Sequence, residues 1–335
     1  MRKGLEGIKI AIVADELTSS CLSLNSHIKF LTNLNYKLVL KYWKPDFLFV
    51  ESAWHGCRNS WKFKVASYPD YPKRNNEQLR KVVEYAKNLG IPTVFWNKED
   101  GVHFDRFIDS ANLFDHIFTV DENCILKYQA VVETSVTVNT LLFAVQPKFH
   151  FFSGFNFKHN RANFVGSYSQ HVHAHRKQWQ DGVFQAVCDT GLGLTAFDRN
   201  SSRKSSNYRY PSFDDLEVKP AVKYKETGQV YKDYLVSLNV NTIEDSKTMF
   251  SRRLVEILAC GGIAVTNSTP AVSELFDEYC HTVDSYEEGL ELFQRFKLGG
   301  PSNDDLEKAR AGADYVAENH TWNHRLEEIY KVIGL

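Results

Sequence analysis

The run Ser251-Arg252-Arg253-Leu254-Val255-Glu256-Ile257-Leu258-Ala259-Cys260-Gly261-Gly262, followed by apolar Ile263-Ala264-Val265-Thr266, places a cation and an anion at helical spacing ahead of a buried strand. Arg253 and Glu256 stand three residues apart, so both project from one helix face. A guanidinium offers a planar fork of donors that suits a diphosphate, and a carboxylate accepts from both hydroxyls of a ribose. The pair fits two parts of a nucleotide; an ordinary surface ion pair has the same spacing. Just upstream, in Ser237-Leu238-Asn239-Val240-Asn241, the polar Ser237, Asn239 and Asn241 share one face of an otherwise apolar strand. That pattern marks either a ligand-facing wall or a strand edge facing water.

Other segments carry related chemistry. Gly166-Ser167-Tyr168 follows an apolar stretch, where a glycine lets backbone amides approach phosphate oxygens and Ser167 adds a donor. Arg176 is within reach of the same phosphate. Asp198-Arg199-Asn200 ends the next apolar stretch, where it would read a base or ribose, or form an Asx turn. The nucleotide-side candidates are therefore Gly166, Ser167, Tyr168, Arg199, Asn239, Ser251, Arg252, Arg253 and Glu256.

In the first half, Asn97-Lys98-Glu99-Asp100 and His103 bring two carboxylates, an amine and an imidazole just past a strand end. An inverting substitution at an anomeric carbon needs a base on the incoming hydroxyl. Glu99 and Asp100 are the candidates, with Asp15 and Glu16 beside them and Glu51 and His55 as rivals. A solvated charged loop would have the same composition. Trp54, His55, Lys98 and His103 are the candidates to hold the incoming group. Arg58–Lys81 interleaves basic residues with Trp61, Phe63, Tyr68 and Tyr71, a composition that suits a sugar, a phosphorylated lipid head or a membrane surface.

The elements that must position these residues alternate. Strands are predicted at Ile8–Ala14, Phe47–Glu51, Thr93–Trp96 and His116–Val120, with a helix over Asn76–Leu89 that ends at Gly90 and Pro92. After a polar and aromatic linker over Phe143–Arg161, the second half repeats the plan. Its strands are Ala162–Val165, Leu192–Phe197, Leu235–Val240 and Ile263–Thr266; its helices are Lys177–Thr190, Gln229–Tyr234, Arg252–Ala259, Leu306–Asn319 and Asn323–Ile333. Such alternation predicts an α/β chain of two doubly wound, Rossmann-like domains, 1–155 and 156–335, facing a central cleft. The last helix is a candidate to pack back on the first domain. Ligands of these sheets bind beyond the carboxyl ends of the strands, where the candidates lie.

Composition narrows the class. The 335 residues are 43% hydrophobic and 24% charged with a net charge of −1, as in a water-soluble globular protein and with no general case for nucleic acid. Met1–Ile12 is a short charged lead into a strand, no apolar run approaches a membrane span, and the six cysteines are scattered. A cytoplasmic protein is expected, with Arg58–Lys81 as a candidate for peripheral contact with the inner face of the membrane. The G-x-G-x-x-G and G-x-x-x-x-G-K-[ST] loops are absent, which argues against a nicotinamide dehydrogenase or a P-loop enzyme. A D-x-D pair, by which many enzymes acting on nucleotide sugars hold a divalent metal, is also absent, so no metal and no cofactor is expected.

From Leu235 onward the chain resembles the spore-maturation CgeB-like, group-1-type glycosyltransferases of GT-B fold. The carrying residues are Ser237-Leu238-Asn239-Val240-Asn241, the Ser251–Gly262 run, Glu274-Leu275-Phe276 and His320-Thr321-Trp322 with His324-Arg325. The first half is similar to bacterial members through Asp15-Glu16-Leu17-Thr18, the Pro45–Trp54 stretch and Phe95–Asp100. The resemblance implies transfer of a sugar from a nucleotide donor to a glycan or lipid-linked acceptor in surface polysaccharide or glycoconjugate synthesis. It also implies that the second half binds the donor, Arg253 on the diphosphate and Glu256 on the ribose or sugar, and the first half the acceptor. Retaining members often carry two glutamates eight residues apart at this helix; here the earlier position is Thr248, which leaves the stereochemistry open. An epimerase of sugar nucleotides, or a non-catalytic subunit that binds them or a glycan, would use the same fold.

Overall fold

A computed structural model describes residues 7–335; the first six residues of the charged lead lie outside it. The chain forms two compact units, Met1–Phe143 with Trp322–Leu335, and Ala144–Thr321. In the first unit the strands are β1 (Lys9–Val13), β2 (His27–Phe30), β3 (Phe47–Glu51), β4 (Thr93–Asn97), β5 (His116–Thr119) and β6 (Thr137–Thr140). Between them run α1 (Glu16–Leu22), α2 (Tyr36–Leu38, continued by a π-helical turn over Val39–Trp43), α3 (Glu77–Asn88), α4 (Phe104–Ala111) and α5 (Ile125–Gln129). The sheet is parallel throughout, in the order β2-β1-β3-β4-β5-β6. Its central strands are continuous apolar runs because helices cover both faces. Val82 and Val83 of α3 and Phe107 of α4 pack with Leu48, Val50 and Phe95 of the sheet. Direction of winding reverses between β1 and β3, so their outgoing loops diverge and open a crevice.

The second unit contains β7 (His159–Gly166), β8 (Leu194–Asp198), β9 (Leu216–Pro220), β10 (Tyr234–Leu238), β11 (Ile263–Thr266) and β12 (His281–Thr282). Its helices are α6 (Ala174–Asp189), α7 (Thr227–Asp233), α8 (Arg252–Ala259), α9 (Pro270–Leu275), α10 (Tyr286–Gly299) and α11 (Asn303–Asn319). The order β12-β11-β10-β7-β8-β9 is again parallel, and winding reverses between β7 and β10. The chain then returns as α12 (Trp322–Ile333) to the first unit, where Trp322 meets Trp96 edge-on at 5.4 Å between ring centroids.

Two differences from the sequence reading have clear causes. The break between units falls at Phe143, and not after residue 155, because residues 144–158 are packed on α7 and α8 instead of forming a linker. His150 Nε2 lies 2.8 Å from Thr227 Oγ1, the Lys158 amide donates to the Asp233 carbonyl at 2.8 Å, and the Phe152 ring rests on Gly261. Gly261 ends α8 at φ +69°, and any side chain there would strike that ring. The second difference concerns Ser237, Asn239 and Asn241. They do not face water at an edge: β10 is central, between β7 and β11, and all three side chains are buried.

Candidate active site

In the second unit the polar residues converge where the winding reverses. Gly166 ends β7, and the Gly166–Ser167 turn is clasped by two guanidiniums. Arg253, on the first turn of α8, donates through Nε to the Val165 carbonyl at 2.5 Å and through Nη1 to Asn239 Oδ1 at 3.3 Å. Arg176, on α6, donates to the Ser167 carbonyl at 3.1 Å and to Thr242 Oγ1 at 3.2 Å. Each thus spends its hydrogen bonds on neutral oxygens, and neither forms an ion pair among the described residues. Burial and the neighbouring Arg253 and Arg199 pull the Arg176 guanidinium down to about 10. Burial, with Arg199 close by, lowers Arg253 as well. Half-buried like charges with no carboxylate in ion-pair contact raise the local affinity for an anion.

The scaffold under this cation pair is a buried amide network. Asn239 Nδ2 donates to Thr266 Oγ1 at 3.0 Å, and Asn241 Oδ1 accepts the Ser251 amide at 2.8 Å. The Asn241 amide in turn donates to Asn267 Oδ1 at 2.7 Å. Every member takes a partner, which is what lets so polar a strand end stay inside. Ser251 caps α8 in extended conformation, and its hydroxyl makes no capping bond. The start of α8 therefore offers amide donors and a hydroxyl next to Arg253.

Three details depart from the sequence reading. Glu256 is buried and pairs with Arg252, Oε1 to Nε at 3.0 Å, while Arg253 turns the other way toward β7. The surface ion pair that Arg253 and Glu256 could have made does not form. Tyr168 is committed to packing: its buried hydroxyl donates to Asp181 Oδ1 at 2.6 Å and its ring lies against Tyr210. Arg199 is exposed; its amide donates to the Gly166 carbonyl at 2.9 Å, which ties the end of β8 to the clasp. Tyr210, in the Ser-, Asn- and Tyr-rich stretch 200–215 and not among the sequence-based candidates, donates its hydroxyl to the same carbonyl at 3.1 Å. Its loop gave no periodic signal that could have singled it out.

Gly166 has no room for a side chain. A Cβ there would lie 2.7 Å from Arg253 Nη2 and 2.7 Å from the Phe164 ring. Gly166→Ala should therefore push the guanidinium off β7 and weaken anion binding by at least about tenfold, which titration calorimetry with nucleoside diphosphates would measure. Unchanged affinity would remove Arg253 from the site.

The first unit gathers its candidates at its own reversal point. Asp15, just past β1, accepts the amides of Trp54, His55 and Gly56 at 3.2, 3.0 and 2.8 Å and the Lys98 ammonium at 3.2 Å. Burial raises the Asp15 carboxyl, but Lys98 and these amides outweigh it and hold it below the usual range. Glu51, at the end of β3, is fully buried; it accepts the Asp15 amide at 2.5 Å and lies 3.5 Å from Lys98. Burial drives its carboxyl up against the pull of Lys98. Glu99 is half-buried and 3.8 Å from the same ammonium. His55 is exposed, and the Trp54 ring meets His103 edge-on at 5.3 Å. Glu16 is exposed on the first turn of α1.

Asp100 is a correction. Its side chain is wholly inside, where Asn97 Nδ2 donates to it at 2.6 Å and the Tyr128 hydroxyl at 2.9 Å. Burial raises its carboxyl to about 7. It braces the loop after β4 and presents no oxygen to a substrate. Among the described residues no group of three or more His, Cys, Asp or Glu side chains is placed to hold a metal ion.

A family model described as glycosyl transferase-like matches residues 157–331, which include the whole Gly166, Arg176 and Arg253 cluster. No curated protein sequence matches the chain significantly. Solved structures match along nearly its full length. An α-glucosyltransferase in complex with UDP and a 13-mer DNA containing an HMU base has a TM-score of 0.64 at 11% identity, covering 98% of this chain and 100% of that one. Sucrose-phosphate synthase from Thermosynechococcus elongatus has a TM-score of 0.58 at 8% identity, covering 97% and 99%. HepE of Anabaena, in complex with UDP and glucose, has a TM-score of 0.57 at 10% identity, covering 97% and 91%. At such identities the likeness is one of fold, the pair of doubly wound domains of the GT-B class.

Proposed function

The chain belongs to the glycosyl transferase-like family, and on that premise we propose that it moves a hexosyl group from a nucleoside-diphosphate sugar to a glycan or lipid-linked acceptor. The observation that carries this reading is the clasp of Arg176 and Arg253 around the Gly166–Ser167 turn, two half-buried cations whose hydrogen bonds go only to neutral oxygens. A diphosphate placed there meets both guanidiniums, the Ser251 hydroxyl and the first amides of α8. Glu256, oriented by Arg252, is the residue we assign to ribose hydroxyls. In the transfer an acceptor hydroxyl oxygen bonds to the anomeric carbon while the bond from that carbon to the phosphate oxygen breaks. The electron pair leaves with the nucleoside diphosphate, and preplaced guanidiniums stabilise that charge without reorganising. This route asks no metal of the site.

Acceptor handling falls to the first unit. Glu99 keeps the exposure that Asp100 lacks, and Lys98 holds it beside Asp15. It is the residue we assign to the acceptor proton if configuration inverts, and to orienting the acceptor if it is retained. Trp54, His55 and His103 offer ring faces and edges to a sugar. The Ser251–Gly262 run and Glu274-Leu275-Phe276 support the CgeB-like branch, and a net charge of −1 supports a surface glycan or glycoconjugate over a nucleic acid as acceptor.

The test is a thermal-shift panel of nucleoside diphosphates, with UDP first because two fold relatives hold it. A ligand at 100 times its dissociation constant should stabilise by about 2.7 kcal/mol. One nucleotide should raise the melting temperature of the native chain and not that of a folded Arg176→Ala variant. A panel with no shift would sink the donor site. Release of nucleoside diphosphate only when acceptor is added separates transfer from epimerisation and from binding alone.

A further inference from the structure

A second surface of the N-terminal unit lies apart from the strand ends. The edge strand β2 and the helical segment after it expose Phe30, Leu34, Leu38 and Tyr42 with fractional exposures of 37, 92, 62 and 70%. Leu34 in the turn before α2, Leu38 at its end and Tyr42 on the π-helical turn all stand outward from the unit. The opposite side is the one the fold uses: Tyr36, Val39 and Leu40 are buried in the core of the unit. A helix covering a sheet normally turns polar residues outward, and here the outward side is apolar.

The charge around these residues has one sign. Lys29, Lys37, Lys41 and Lys44 are all exposed, and from Leu17 to Pro45 the chain contains no Asp or Glu. None of the four forms an ion pair among the described residues. Lys29 Nζ lies 5.0 Å from the Trp43 ring, and Lys41 Nζ 5.5 Å from the Tyr42 ring, so the cations stand at the rim of the aromatics. We infer that this face docks on the surface of an anionic lipid bilayer, its apolar side chains in the headgroup layer and its lysines on lipid phosphates. A second copy of the chain would set four lysines against four. No helix among the described residues is long and apolar enough to cross a membrane, so the docking is peripheral. Arg58–Lys81, the segment its composition pointed to, has less to offer. Trp61 is buried with Nε1 donating to the Leu31 carbonyl, and the Arg74 guanidinium is held 4.1 Å from both the Phe63 and Tyr71 rings.

The experiment is co-sedimentation of the full chain with vesicles of phosphatidylcholine alone or mixed with phosphatidylglycerol. Binding should need the anionic lipid and weaken as salt is raised. A Leu34→Ser, Leu38→Ser, Tyr42→Ser triple variant and a Lys37→Glu, Lys41→Glu double variant should each bind at least about tenfold more weakly. Both should keep the wild-type melting temperature, since every altered side chain is exposed. Absence of binding to the anionic vesicles overturns the inference. So does binding that survives the serine triple variant, which would reduce it to adsorption of charge. A dimer seen by analytical ultracentrifugation, and dissolved by the serine changes, would assign the face to a second copy. Capture of an acidic protein, with vesicle binding unaffected by either variant, would assign it to that partner.

Discussion

Arg253→Ala should lower kcat/KM for sugar transfer by roughly 10²- to 10³-fold, the usual cost of removing one preplaced donor to a developing anion. The same variant should lose most of the nucleotide-induced thermal shift. The control lies in the unliganded protein. Arg253 is half-buried; desolvation first, and then the like charges of Arg199 and of the two clasp arginines, hold the guanidiniums down, against the pull of Tyr231 and Glu256 on Arg253. Removing one guanidinium relieves repulsion, so the melting temperature without nucleotide should hold or rise. A residue that served only packing would do the opposite, lowering stability and leaving nucleotide affinity in the folded fraction intact. Arg253→Lys should recover little, because an ammonium cannot reach Val165, Asn239 and a phosphate at once.

Asp100→Asn should flatten the pH dependence of folding stability. The folded carboxyl titrates at about 7 against 3.8 in an unperturbed chain, chiefly because it is buried; Asp121 adds repulsion, and bonds from Thr119 and Tyr128 offset only part of this. A raised carboxyl binds its proton more tightly when folded, so its contribution is complete below pH about 4 and is lost as pH rises toward 7. At about 1.4 kcal/mol per pH unit the loss is about 4 kcal/mol in order of magnitude. Asparagine copies the protonated acid: its oxygen accepts from Asn97 or Tyr128 and its amide can donate. In urea titrations at pH 4 and pH 8 the variant should come within about 1 kcal/mol of the wild type at the first and exceed it by a few kcal/mol at the second. Glu51, also raised by burial, titrates in both proteins and cancels in the difference. Parallel pH profiles would mean that Asp100 stays ionised and the prediction fails.

Buried strands and long helices are the most legible parts of this chain. Phe47–Glu51, Arg252–Ala259 and Ile263–Thr266 have the expected bounds because each is an unbroken apolar run or a clean helical period between turn residues. The edge strands β2, β6 and β9 are missing from the sequence reading. His27–Phe30, Thr137–Thr140 and Leu216–Pro220 are mostly polar or half-exposed, and a strand covered on one side only carries a weak pattern. At the site, residue type and strand-end position pointed to Gly166, Ser167, Asn239, Arg253, Asp15 and Lys98. They could not say which way a side chain turns. Glu99 and Asp100 are neighbours of like chemistry, and one is half-exposed while the other is sealed under Tyr128. Arg252 and Arg253 are likewise adjacent, and a helix sends them to different partners, Glu256 and Val165.

The N-terminal unit is left at Phe143 and completed only by Trp322–Leu335. Until that segment is made, the indole of Trp96 lacks its Trp322 neighbour and the ring of Phe47 lacks Tyr330. Domains otherwise tend to fold in the order in which the ribosome delivers them. Here the half that emerges first is finished last, and for the whole synthesis of Ala144–Thr321 it waits with aromatic residues of its sheet uncovered. Ribosome stalling after residue 321 should therefore yield a second unit that resists protease and a first unit that does not.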